Sequence, residues 1–202
     1  MHELIAAPPQ GLQVLPVRLA GDGSHYLANR FLEACYGLAN GCLGPEVQVT
    51  PRAGDAYLGL DFCREHVVAL GKALETMRAA DVPVALVVHD LLPLNQPSWF
   101  PAAVSEDFAD WLGLLARHAD VALCISDVTR AELLRQLQAR RLALDDRGDV
   151  RAESVEHRPL FHRSAQRRNR VVRIDLGRRS GRDTRVHGPH GKACAAQCAG
   201  TQ

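Results

Sequence analysis

"PVALVVHD", residues 83–90, is the stretch of this sequence that decides its fold class. Five apolar residues follow the proline, and three of them are valine, so the run predicts a β-strand. Because no polar residue interrupts the run, we predict that both faces of the strand are buried, as in a parallel sheet. His89 and Asp90 then fall at the carboxyl end of the strand, where such sheets bind ligands.

Similar apolar runs recur along the chain and alternate with helical patterns. They predict further strands at residues 12–17, 56–60 and 121–125. Helical spacing predicts helices at residues 25–38 and 66–80, a third from a cap at Ser105 to about residue 117, and a fourth from Ser126 or Asp127 to about residue 141. The alternation predicts an α/β fold, a Rossmann-like parallel sheet with helices on both faces.

Charge divides the chain into two segments. Residues 1–146 carry 11 Lys+Arg and 18 Asp+Glu, whereas residues 147–202 carry 13 and 5. Apolar residues of the second segment show no regular spacing, and Phe161 is its single aromatic residue. We therefore predict a Rossmann-like domain over residues 1–146 and a disordered, Arg-rich tail over residues 147–202, on which the fold does not depend. A basic tail can bind nucleic acid, but lysines and aromatics are scarce here, so we expect no nucleic-acid partner.

The amino terminus and the cysteines bear on the cellular compartment. No basic start and no long apolar run precede the first strand, so we expect a cytoplasmic protein with reduced cysteines. There are six: Cys35, Cys42, Cys63, Cys124, Cys194 and Cys198. Cys194 and Cys198 lie near His187 and His190, but the spacing is loose for zinc, and we expect no bound metal.

Three predicted strands end in polar residues. Asp61 follows the second strand, His89 and Asp90 follow the third, and Ser126 and Asp127 follow the fourth. Parallel strands end on the same edge of a sheet, so these groups are expected to lie together. Ser126 also begins a helix, whose backbone N–H groups can face an anion.

Three stretches, taken in order, carry a family resemblance. They are "GDAYLGLDF" (residues 54–62), "VPVALVVHDLLPLNQPSWFP" (82–101) and "DFADWLGLLARHADVALCISDVTRAELLRQL" (107–137). Together they resemble bacterial glycosyltransferases of the group 1 type, family 4, in particular the mannosyltransferase-like enzymes of lipopolysaccharide and O-antigen assembly. The resemblance covers roughly residues 10–140.

The resemblance implies the GT-B fold, in which two Rossmann-like halves face each other across a cleft. It assigns this chain to the amino-terminal, acceptor-binding half. A nucleotide sugar would be the donor substrate, with no cofactor, and a glycan the acceptor. It also implies a separate donor-binding half as partner and peripheral contact with the inner surface of the membrane.

The resemblance also assigns roles to individual residues. His89 matches the histidine that contacts the transferred sugar. The alternative role for His89 is that of a structural histidine. Asp90 either contacts substrate or accepts from a backbone N–H and holds the turn. Trp99 and Phe100 either stack on an acceptor sugar or pack beneath the loop. Ser126 is expected to bind substrate at the neighbouring strand tip.

Both ends of the chain depart from the family pattern. The family's first strand and glycine-containing loop have no counterpart, which would leave neighbouring strands with unpaired backbone groups. At the other end, "EHRPLF" (residues 156–161) replaces the expected start of the second domain. Codons for these residues, read in a frame shifted by one nucleotide, can encode Ile-Gly-His-Phe. We therefore interpret the Arg-rich tail as a candidate frameshifted translation.

Three functions from different classes remain open. The first is a truncated glycosyltransferase, inactive alone because the donor-phosphate site is missing. The second is a non-catalytic glycan- or partner-binding module, or one chain of a split enzyme. The third is a nucleic-acid-binding protein acting through its tail.

Overall fold

In the part of the chain that the structure describes, eight strands form one sheet around the strand predicted from "PVALVVHD". The computed structural model describes residues 2–140, 151–154 and 170–175. Its strands are β1 (Leu12–Leu19), β2 (His25–Leu27), β3 (Gln48–Val49), β4 (Ala56–Gly59), β5 (Val84–Val88), β6 (Val121–Cys124), β7 (Arg151–Ser154) and β8 (Arg170–Asp175). Its helices are α1 (His2–Ala6), α2 (Asn29–Tyr36), α3 (Val67–Ala79), α4 (Leu92–Asn95), α5 (Ala102–His118) and α6 (Asp127–Ala139).

The strand order is β3-β2-β1-β8-β4-β5-β6-β7. From β1 to β7 every neighbouring pair is parallel, while β2 pairs antiparallel with β1 and with β3. The predicted α/β class and parallel sheet are confirmed. Among the described helices, none is long and apolar enough to cross a membrane.

The two faces of the sheet are covered unequally. On one face Val84, Leu86 and Val88 are buried, and they belong to the large core that α3, α5 and α6 complete. On the other face Ala85 and Val87 are only partly buried, in a smaller cluster that includes Leu4 of α1. The prediction that both faces of β5 are buried is therefore confirmed for one face and only in part for the other.

Two predicted helix starts are corrected. Residues 25–27 were predicted as helix but form β2, because the turn at residues 20–24 folds this stretch back to pair with β1. Ser105 was predicted as a helix cap but lies inside α5, which begins at Ala102 after Pro101. Pro101 stands at the N-cap, where its missing N–H would have no partner within the helix.

Two strands of the sheet come from the Arg-rich segment. The sequence does not predict β7 or β8, which pair with β6 and with β1 and β4. β8 lies between β1 and β4, so both strands are paired on both sides. The prediction of disorder for the rest of residues 147–202 concerns residues outside the described ones, and the frameshift interpretation stays a prediction.

A glycine-rich loop is held against α2 by two buried polar side chains. Asn29 donates to the carbonyls of Leu43, Gly44 and Pro45 at 2.9–3.3 Å. Glu33, 3% exposed, accepts from the backbone N–H groups of Gly41 and Leu43 at 2.9 Å each. These N–H groups hold the pKa of Glu33 below its usual range.

The Glu33→Gln variant should be less stable than the parent protein at neutral pH. An amide keeps one acceptor oxygen for two N–H donors and turns its NH₂ group toward the second. Because the folded-state pKa of Glu33 is lowered, its carboxylate contributes stability above the unfolded-state pKa of about 4.3. That contribution disappears as the pH falls through the lower folded-state pKa.

Thermal unfolding from pH 7 to pH 3 measures this effect. The Tm gap between parent and variant should narrow below about pH 4. A gap that stays constant across this range would show that the carboxylate charge does not hold the loop.

Candidate functional site

The carboxyl ends of β4, β5 and β6 meet at one edge of the sheet. The chain leaves β4 at Leu60 and Asp61, β5 at His89 and β6 at Ile125. The strands are parallel neighbours, so the polar residues that follow them share one rim. The parallel pairing of β4, β5 and β6 therefore brings Asp61, His89 and Ser126 to one edge of the sheet, where the sequence predicts them.

His89 is exposed and bridges two strand tips. Its Nε2 lies 2.9 Å from the carbonyl oxygen of Leu60, which follows β4. A carbonyl can only accept, so Nε2 carries the proton and donates. In the neutral imidazole Nδ1 then holds a lone pair, which can accept a hydrogen bond from a ligand hydroxyl.

Asp90 holds the turn after β5. Its Oδ1 accepts the backbone N–H of Leu92 at 2.8 Å, which starts the short helix α4. The sequence predicts two alternative roles for Asp90, and this hydrogen bond is the one expected if Asp90 holds the turn. The carboxylate still lines the pocket described below, and its other oxygen has no hydrogen bond within the described residues.

Ser126 caps α6 and is linked to His89 through Thr129. The Ser126 hydroxyl oxygen accepts the Thr129 N–H at 3.1 Å, as predicted for a helix cap. The Thr129 hydroxyl donates to the His89 carbonyl at 3.3 Å. The 3.0 Å contact between the two hydroxyls is therefore donated by Ser126. This chain of bonds joins the tips of β5 and β6, and the sequence does not predict the bridging role of Thr129.

An open pocket of about 170 Å³ lies at this rim. It is lined by Asp61, Phe62, Val87, His89, Asp90, Pro93, Phe100, Phe108 and Trp111. Two carboxylates and an imidazole lie beside aromatic rings, and no lining residue is a lysine or an arginine. Ser126 and Trp99 are not among the lining residues.

Three packed aromatic rings form the apolar part of the pocket. The Phe62 ring lies 4.9 Å from Phe108 and 5.8 Å from Trp111 between centroids, edge to face. Trp111 is 2% exposed and belongs to the large core. Its Nε1 has no hydrogen-bond partner in the described part of the chain. The sequence does not predict Phe62 as a pocket residue, because nothing in its spacing sets it apart.

Trp99 and Phe100 separate in the structure. Trp99 is 69% exposed, so the prediction that it packs beneath the loop is wrong. It ends a 3₁₀ turn over Pro97–Trp99, which carries its side chain away from the core. Phe100 is partly buried and lines the pocket.

The described cysteines divide by exposure. Cys124 is fully buried, and burial raises the pKa of its thiol to about 11, so it stays protonated and unreactive at neutral pH. Cys35 and Cys42 are exposed thiols. No group of three metal-ligating side chains occurs among the described residues. The motif with Cys194 and Cys198 lies outside them.

Comparisons with known proteins give one group of relatives. Three sequences named "Serotype-specific mannosyltransferase WbdA" from Escherichia coli match over 126 residues, two at 30% identity and one at 29%. Each match covers 62% of this chain but 15% of the relative, so the chain spans about 15% of the length of the curated relatives it matches. No known family profile matches the chain, and no solved structure matches it. The similarity supports a relationship to glycosyltransferases.

Proposed function

We propose that this chain is the acceptor-binding half of a GT-B glycosyltransferase. The observation that carries the proposal is the aromatic and acidic pocket at the carboxyl ends of β4 and β5. The intact enzyme would transfer a sugar from a nucleotide-sugar donor to a glycan of the lipopolysaccharide or O-antigen class. The relatives are named as mannosyltransferases, so mannose is the proposed sugar.

The chemistry of the pocket suits a neutral sugar. Aromatic rings such as Phe62 and Phe100 can cover the C–H face of a sugar ring, and the carboxylates of Asp61 and Asp90 can accept from its hydroxyls. Two negative charges with no lining cation repel a diphosphate. The pocket therefore suits the acceptor glycan better than the nucleotide of the donor.

His89 would act at the reacting sugar. Its Nε2–H bond to Leu60 holds the ring in place. Nδ1 can then accept from a sugar hydroxyl without a metal. In this proposal His89 is the catalytic residue, Asp90 and Ser126 shape the rim, and Trp99 contacts a more distant part of the acceptor.

The donor half would face an apolar rim. Leu92, Ile125 and Val128 follow the tips of β5 and β6 and are 40%, 46% and 73% exposed. Apolar side chains around a polar pocket are typical of surfaces that meet another protein surface. The chain alone would be inactive, and transfer would require a donor-binding half that meets this rim. We place the reaction in the cytoplasm, at the inner surface of the membrane.

A non-catalytic glycan-binding module is the second candidate function. The Asp90–Leu92 and His89–Leu60 bonds favour it, because both predicted reactive side chains already have structural partners. The two functions differ in one result. Mixing the chain with the donor half of a related enzyme restores sugar transfer only under the first proposal.

Binding of a mannose oligosaccharide tests the pocket itself. Titration followed by NMR or calorimetry should show saturable binding to the full chain. His89→Ala should weaken that binding about 3–10-fold, the loss expected for one hydrogen bond. The variant should stay folded with a Tm close to that of the parent, because His89 is exposed and loses one hydrogen bond at the edge of the sheet.

Trp99→Ala is the matched control. Trp99 is exposed and does not line the pocket, so its loss should change affinity for a short oligosaccharide less than the loss of His89. Equal affinity of the parent and the His89 variant would contradict the pocket as the binding site. A larger effect of Trp99→Ala would move the site to the outer surface of the loop.

A further inference from the structure

The sheet consists of two blocks joined by one strand. β1, β2 and β3 form one block and β4 to β7 form the other, and β1 has no pairing with β4. β8 pairs in parallel with β1 over six residues and with β4 over four. The central strand of the sheet therefore comes from the last segment of chain that the structure describes.

The edge of β1 that faces β8 has a complete set of backbone groups. Pro16 has no N–H, but its position does not affect the edge toward β8. Its carbonyl faces β2 and accepts the N–H of Ala28, and the N–H and C=O of one strand residue point to the same side, so the missing N–H would also have faced β2. Neighbouring residues of a strand point their backbone groups in opposite directions. Leu15 and Val17 therefore present both N–H and C=O to β8, and the proline does not interrupt this edge.

The edge of β4 that faces β8 is equally complete. Tyr57 donates to the carbonyl of Pro83, so it faces β5, and the alternation turns Ala56 and Leu58 toward β8. Leu58 on β4 is 8% exposed, and Val17 on β1, across the gap, is 0% exposed. Without a strand between them, buried backbone donors and acceptors on both edges would lose their partners.

The connection to β8 is long enough to leave its position unconstrained. Fifteen residues, 155–169, separate Ser154 at the end of β7 from Arg170. Their fully extended length is roughly 50 Å. The start of β8 lies four strand spacings from β7, about 19 Å across the sheet, and one strand length of about 20 Å back along it. β8 is thus placed by its pairing and not by a tight connection.

We propose that the gap between β1 and β4 is a strand-binding site that accepts an extended, parallel segment, and that residues 170–175 of this chain are its occupant. The site recognises backbone groups on two sides at once, so binding depends on strand direction and on an N–H at each position. The same segment should therefore bind as a separate peptide when the tethered strand is disabled. This proposal does not depend on the proposed function.

The proposal predicts the opposite of the expectation that the fold does not depend on residues 147–202. The fold is complete only when a strand fills the gap. The pairing of β8 on both sides places it at the centre of the sheet, although its sequence lies in the segment predicted to be a tail.

Val172→Pro in the full chain tests the site. Proline removes one ladder N–H from the central strand, whereas Val172→Ile keeps the N–H and the β-branched side chain. We expect Val172→Pro to lower the Tm clearly and Val172→Ile to leave it near that of the parent. Adding the peptide NRVVRIDL, residues 169–176, should raise the Tm of Val172→Pro saturably, by about 5–10 °C.

The reversed peptide LDIRVVRN is the control, because it has the same composition and the opposite direction. The reversed peptide should not change the Tm of Val172→Pro. The parent chain is a second control: it should bind NRVVRIDL at least about tenfold more weakly than Val172→Pro does, since the parent's own β8 competes at high effective concentration. If Val172→Pro is unfolded as purified, the peptides are added during refolding and the recovery of cooperative unfolding is measured.

Three results would overturn the proposal. Equal stability of Val172→Pro and Val172→Ile would show that β8 is not needed in the gap. A destabilised Val172→Pro that NRVVRIDL does not rescue would show that the gap does not bind a separate strand. Equal rescue by both peptides would show that the effect is not directional pairing.

Discussion

Leu86→Asp should unfold the sheet domain. Leu86 is 2% exposed at the middle of β5, and β5 is paired with β4 on one side and β6 on the other. Its Cδ2 lies 2.7 Å from the point where a Cβ on Gly59 would stand, so the side chain fills the space over the neighbouring strand. An aspartate there would lose this packing and bury a carboxylate without a partner.

The expected loss is about 5 kcal/mol or more, from the lost packing of a leucine together with the buried charge. That is comparable to the whole stability of a domain, about 5–15 kcal/mol. Thermal or urea unfolding followed by circular dichroism measures it. The variant should show no cooperative transition, or one at a much lower temperature.

Val68→Asp is the matched control. It makes a comparable apolar-to-acid change, but Val68 is 79% exposed in the first turn of α3, where an acidic side chain is favourable. Its stability should stay within about 0.5 kcal/mol of the parent. A Leu86→Asp protein that unfolds like the parent would mean that β5 is not an interior strand of the sheet.

Gly23→Ala should destabilise the domain by about 2–4 kcal/mol. Gly23 lies in the turn between β1 and β2 with φ at +93°, a conformation that favours glycine. A Cβ at this position would stand 2.8 Å from the Cβ of Lys72 and 3.1 Å from the carbonyl oxygen of Ala69. Neither atom is the flexible end of a side chain, so the turn would have to move away from α3.

Gly54→Ala separates the two causes of that loss. Gly54 has nearly the same φ, +95°, but a Cβ there would meet no atom within 4 Å. Its substitution should therefore cost only the backbone strain, about 1 kcal/mol. Urea unfolding of both variants measures the difference. Equal losses would show that the turn is not in close contact with α3.

The sequence predicts well those elements whose signal is local. The valine-rich run of β5 and the helical spacing of α3 are properties of short segments, and both elements lie within one residue or two of the predicted bounds. Ser126 is a second case, because a helix cap needs only one hydroxyl and the N–H three residues later. The convergence of His89 and Asp61 at one edge also follows, since parallel strands end on the same side.

Tertiary pairing decides the elements that local signals assign differently. Residues 25–27 have helical spacing, yet they form β2 because β1 offers them an unpaired edge. β8 lies in an Arg-rich segment without apolar spacing, and its place depends on the backbone groups of β1 and β4. The sequence of residues 170–175 does not indicate that there is a gap between β1 and β4 for this segment to fill.

The same division applies to the candidate site. The sequence by itself determined the α/β class and the edge at which His89 and Asp90 lie, because both follow from the order of locally recognisable strands and helices. It also determined the cap of α6, which needs only residues within one turn. Only the tertiary structure decided that His89 donates to Leu60, that Thr129 links the tips of β5 and β6, and that Phe62 lines the pocket while Trp99 does not. These contacts join residues about 30–50 positions apart, and their geometry is set by how strands and helices pack, which residue spacing does not encode.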